Sequence, residues 1–109
     1  MKAETAAYFE KAQEFLRKAA SMRDAGWPDE AARAAYPAGF HAAQAYIFER
    51  TGKTAKSHAG VHHLFADIAK GDERFDGEQR TFLSRAYNAK AVADYESPFG
   101  NGFSTSPAS

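Results

Sequence analysis

Apolar residues recur at helical spacing along most of the chain. Between Glu4 and Arg23, the residues Tyr8, Ala12, Phe15, Ala19 and Met22 follow at steps of four, three, four and three. That is the stripe of an amphipathic helix. Glu10, Lys11, Glu14, Arg17 and Lys18 supply its solvated face. Gly26 and Pro28 end this helix and open the next, because Pro suits a first helical turn and Asp29 and Glu30 complement the dipole there. Trp27, in the turn, is expected to cover one end of the core.

The second segment, Pro28 to Arg50, organises the rest. Tyr36, Phe40, Ala43 and Ile47 share one face, and Ala35, Ala38, Gly39, Ala42 and Tyr46 make a second, mostly small one. A helix apolar on two faces is central, with neighbours on both sides. Pro37 removes a backbone donor and crowds the carbonyl of Arg33, costing ~3 kcal/mol in an ideal helix interior. Gly39 adds ~1 kcal/mol relative to Ala. A kink between Arg33 and Pro37 is therefore predicted. Thr51 and Gly52 end the helix, Gly suiting the left-handed position that follows.

Two shorter helices follow. Ser57 is the N-cap of the third, whose buried stripe is read as Val61, Leu64, Phe65 and Ile68, and which ends near Gly71. Asp72 to Phe75 is a charged connector. Asp76, with Gln79 three residues on, makes the capping box of a fourth helix running to about Tyr95. Phe82, Ala86, Ala89 and Ala93 form its inner face, widened by Leu83 and Tyr87. Ser97 to Ser109 holds two Pro and two Gly without a helical period, so a non-helical, irregular tail is expected. The pattern predicts an all-α protein: an antiparallel four-helix bundle over residues 1–96, a tail over 97–109, and no second domain.

Composition narrows the function. Fourteen basic residues balance fourteen acidic ones, so any RNA contact must come from a local patch rather than from overall charge. There is no cysteine, which excludes a disulfide scaffold and thiolate chemistry. Much of the apolar content is Ala and aromatic, so the core is expected to consist of closely approaching helices and rings. The amphipathic start is unlike a signal peptide, and no apolar run reaches the ~20 residues that span a bilayer. A cytoplasmic protein without membrane association is the expectation.

Among chemistry-bearing residues, His58 and His62 lie four apart and share a helix face. A metal site needs a third ligand, and none is evident, so no metal and no cofactor are expected. On this reading His58 bonds to loop backbone at the helix start, and His62 and His63 are solvated. Phosphate-binding glycine loops and hydrolase motifs are absent.

Three segments carry a family resemblance. Arg33-Ala-Ala-Tyr36-Pro-Ala-Gly-Phe40-His41-Ala-Ala-Gln44-Ala resembles the long helix of small HEPN-domain proteins, which reads roughly R-x-x-Y-Y-A-x-F-H-A-A-K-A. Lys56-Ser57-His58-Ala59-Gly60-Val61 is similar to their K-T-H-x-G-V, and Ala93-Asp94-Tyr95 to their A-D-Y. The resemblance covers Tyr8 to Tyr95 and implies an all-helical fold. It also implies a nucleotide-binding module, a toxin-system component or an RNase. The chain departs from it after Tyr95, where members continue into a fifth helix. RNases of this class carry R-x(4–6)-H, in which imidazole moves the proton and Arg steadies the phosphorane. Here Arg33 to His41 and Arg50 to His58 are both eight apart, and Lys90 to Asp94 and Tyr95 occupy the corresponding place. No catalytic residue is therefore assigned. The resemblance implies a homodimer whose cleft binds a nucleotide, an RNA or a partner protein. Arg33, His41, His58, Arg85, Lys90, Asp94 and Tyr95 are the candidate binding residues. It also implies a possible nucleotidyltransferase-type partner, as in toxin–antitoxin pairs. The alternative is a metal-independent RNase toxin using Lys90, Asp94 and a histidine.

Overall fold

The computed structural model describes residues 1–96, and the predicted tail over 97–109 lies outside the described residues. Four helices follow in order: α1 (Ala3–Asp24), α2 (Pro28–Thr51), α3 (His58–Lys70) and α4 (Gly77–Glu96). Among the described residues there is no strand.

The helix ends form where local chemistry directs them. Pro28 opens α2, and Gly52 closes it with φ of 78°. That left-handed conformation is costly for any residue with a Cβ. The Ser57 side chain accepts from the Gly60 amide and caps α3. At α4 the capping box is reciprocal: the Gln79 amide donates to Asp76 at 2.8 Å, and the Asp76 amide donates to the Gln79 side chain at 3.0 Å. α2 stays helical through Pro37.

α2 is the central helix, with a different neighbour on each side. Among the described residues α1 packs against α2 alone, while α3 and α4 pack against α2 and each other. The α1 side is antiparallel: Lys2 at the start of α1 bonds to Glu49 near the end of α2, and the ring pairs Tyr8–Phe48 and Phe15–His41 lie between. Ala34, Ala38, His41, Ala45 and Phe48 form the α2 stripe turned that way. The second apolar face of α2 is thus rotated from the predicted one. Of the five residues assigned to it only Ala38 belongs, and Gly39, Ala42 and Tyr46 instead line a cavity on the α3–α4 side.

The main core lies on that side. Tyr36, Phe40, Ala43 and Ile47 join Val61, Phe65 and Ala69 of α3 and Leu83 of α4. The α2 stripe is as predicted; the others shift. Leu64 is 36% exposed, and Ala69 is fully buried in its place. On α4 the inward stripe is Leu83, Ala86, Lys90 and Ala93, with Phe82 and Ala89 exposed. The pattern misplaces Ala89 because Ala carries little signal of side, and it omits Lys90 because a cation there needs a partner. That partner exists, as described below. Trp27 is 59% exposed and covers no core.

The connector between α3 and α4 is also ordered by charge. Asp72 accepts from Tyr46, Arg50 and Arg74. Arg74 first and Tyr46 second hold its carboxyl well below the usual carboxylate range. One side chain thereby ties α2 to the connector.

Candidate functional site

The candidate site lies along the seam between α2 and α4, at the start of α3. Two polar groups sit on adjacent turns of that seam. Arg33 and Tyr36 are one turn apart on α2, and Lys90 and Tyr87 one turn apart on α4.

The first group centres on Asp94. Arg33 Nε donates to one carboxylate oxygen at 2.7 Å, and Lys90 Nζ to the other at 2.6 Å. Arg33 also donates to the Ala93 carbonyl at 3.1 Å and pairs with Glu30. Lys90 first and Arg33 second lower the pKa of Asp94, and the Asp94 bond chiefly raises that of Arg33. Asp94 therefore stays ionised near neutrality. It can orient the two cations, but it has no proton to give.

The second group centres on the Tyr36 hydroxyl, which lies 2.7 Å from His58 Nδ1 and 2.8 Å from His62 Nε2. Tyr36 is 2% exposed. Burial, with a smaller contribution from Tyr87, pushes its phenol up to about 12. Tyr87 packs edge-on against Tyr36 at 5.1 Å and within 5.5 Å of both imidazoles. Burial first and the charge of His58 second lower the pKa of His62. A hydroxyl has one proton, so Tyr36 donates to one ring nitrogen and accepts an N–H from the other. Protonating both rings would make both facing nitrogens donors and leave the phenol proton without an acceptor.

The structure thus brings Arg33, Lys90 and Asp94 together, with His58 on the next turn. It separates the other candidates. His41 bonds to Gln44 and stacks on Phe15, on the α1 side of Phe40. Arg85 bonds to the Glu78 carbonyl and lines the cavity of about 460 Å³ beside Phe82. Tyr95 is 75% exposed. His62 is half-buried on Tyr36, not solvated, because α3 turns the face carrying Val61 and His62 toward α2. His58 bonds to Tyr36 rather than to loop backbone. Sequence reasoning misses Tyr36, His62 and Tyr87 as site residues. The available signal is the choice of Tyr over Phe in a core stripe, since a buried hydroxyl needs a partner. His63 is solvated as expected, beside Asp67. Among the described residues no three of His, Cys, Asp and Glu gather around one point, and no helix is long and apolar enough to cross a membrane.

No curated protein and no solved structure matches the chain. A family model does: that of the HEPN domain, over residues 5–106. The match spans the four helices and both polar groups, and it supports a nucleotide- or RNA-related module in general. On this match, in agreement with the three motifs and the all-helical fold, the chain belongs to the HEPN domain family.

Proposed function

We propose that the chain is a non-catalytic HEPN module of the cytoplasm that self-associates and binds a nucleotide or RNA at the α2–α4 seam. In this reading residues 1–96 form the binding domain, and a nucleotidyltransferase-type protein is its partner. The observation that carries it is the position of Asp94 between Arg33 and Lys90. An RNase of this class would hold an imidazole at this place to exchange protons near neutrality. A carboxylate kept ionised by two cations cannot do so. The same cations can exchange Asp94 for a phosphate, which accepts the same hydrogen bonds. Self-association is supported by apolar side chains left exposed on α1 and α4, among them Leu16, Phe82 and Val92.

The test is a single-stranded RNA oligonucleotide incubated with the purified protein in chelator. The reading expects binding without cleavage. Arg33→Ala is expected to weaken binding and to flatten its log–log salt dependence by about 0.7 for each phosphate that the protein ceases to neutralise. Metal-independent cleavage that disappears in Lys90→Ala or His41→Ala would replace this reading with the RNase toxin. Light scattering tests self-association: a mass of 11.9 kDa that persists at high concentration would exclude it.

A further inference from the structure

The group at Tyr36 joins three possible metal donors, two imidazole nitrogens that both face the phenol oxygen. His58 Nδ1 and His62 Nε2 come from successive turns of α3, and the phenol oxygen from α2, with 2.7 and 2.8 Å between them. We propose that His58, His62 and Tyr36 form a binding site for one divalent late transition-metal ion, of the zinc class. A histidine pair at this helical spacing is a two-point chelate, and it lacks only a ligand from a second element. The expectation of no metal rests on finding no further His, Cys or acid. It does not count Tyr36, whose place in the core stripe already accounts for the ring.

The geometry is close to what such an ion needs. Zinc takes nitrogen and oxygen donors at ~2.0–2.1 Å in a tetrahedral shell, which sets neighbouring donors ~3.3 Å apart. The imidazoles must draw back from the phenol oxygen by about half an ångström to admit it; the ion replaces the bonded protons, the phenol proton leaving to solvent and the ring that presents N–H to Tyr36 moving that proton to its far nitrogen. The backbone that aims them is fixed independently. Ser57 caps α3, and Val61, between the two histidines, is fully buried. The rings are walled by Phe40, 5.1 Å from His58, and by Tyr87. His58 is on the exposed side, which leaves the fourth position of the shell to water or a ligand. Two imidazoles and a phenol oxygen suit Zn²⁺, Ni²⁺ and Cu²⁺, whereas Mg²⁺ and Ca²⁺ prefer oxygen shells. The site is separate from Asp94, whose oxygens serve Arg33 and Lys90, and it does not depend on nucleotide binding.

Calorimetric titration with Zn²⁺ tests the stoichiometry, and Cu²⁺ supplies a spectroscopic readout. The proposal expects one ion per chain. His62→Ala and Tyr36→Phe should each weaken binding by about tenfold or more. His63→Ala should bind as the parent does, because His63 faces solvent beside Asp67. Cu²⁺ should give a visible phenolate charge-transfer band that is lost in Tyr36→Phe. Circular dichroism verifies that the variants fold. A second measurement needs no variant: substoichiometric Cu²⁺ should broaden the ring signals of His58 and His62 before those of His41 and His63. Absence of saturable binding, binding intact in His62→Ala, loss in His63→Ala, or early broadening at His63 would each overturn the proposal.

Discussion

The two sides of α2 are built from different materials. Toward α1 the buried residues are mostly small, Ala12 and Ala19 on α1 and Ala34, Ala38 and Ala45 on α2, with only the ring pairs Tyr8–Phe48 and Phe15–His41 beside them. Toward α3 and α4 it is made of rings, and several of these carry polar atoms. Small residues bring backbones close and leave no room for chemistry. Rings hold the helices apart, so their hydroxyls and imidazoles must find partners within the protein. The site follows from that second condition. It stands where the aromatic side of α2 has to satisfy Tyr36.

The contrast can be broken from either side. The largest effect is expected on the aromatic side: Ile47→Ala removes a side chain that is 1% exposed and should lower stability by ~2–5 kcal/mol in urea unfolding. On the small side the damaging change is the opposite one. Ala38→Leu overfills the contact with α1 and should cost ~1–3 kcal/mol, with the near-ultraviolet signal of the aromatic side preserved. Equal loss of that signal would mean that the two sides do not behave separately.

Tyr36→Phe sharpens the comparison at the site itself. It keeps the ring and removes the hydroxyl, so a loss of ~1 kcal/mol is expected. The pH dependence carries the rest. Folding favours neutral His62, so below the ordinary histidine pKa of ~6.5 the unfolded chain binds more protons and stability falls as pH drops. His62→Gln should flatten that slope between about pH 7.5 and 5.5, as read from urea midpoints. An unchanged slope would remove His62 as its source.

The smallest effect belongs to Asp94→Asn. Its carboxylate is about a third exposed, so solvent screening holds the loss below ~1 kcal/mol. The sign is fixed by its lowered pKa: the contribution is present above the unfolded carboxylate range and disappears as pH falls through the folded value. The variant should therefore match the parent in acid and fall below it near neutrality.

Local features of the fold are legible in the sequence. Caps, the helix-ending Gly52 and the capping box of α4 act within four residues and need no tertiary knowledge. The ring stripe of α2 is legible because large apolar residues mark a side. The Ala-rich faces are not, since an alanine fits either side of a helix, and both the second face of α2 and Ala89 are misplaced for that reason. At the site, Lys90 and Asp94 are legible as a pair through their helical spacing. Their capture of Arg33 is not, because it joins residues sixty-one apart. His62 fails similarly: nothing within α3 says that its ring meets a hydroxyl from α2.

The isolation of α1 bears on how the molecule opens. Among the described residues α1 touches no helix but α2, so it can detach while the aromatic core stays intact. Such a partial opening costs less than global unfolding. Hydrogen exchange should find it as a separate cooperative step, with α1 amides exchanging before those of α2 around Ile47. The detached state would bare the α2 stripe from Ala34 to Phe48, which the α1 of another chain could cover in its place.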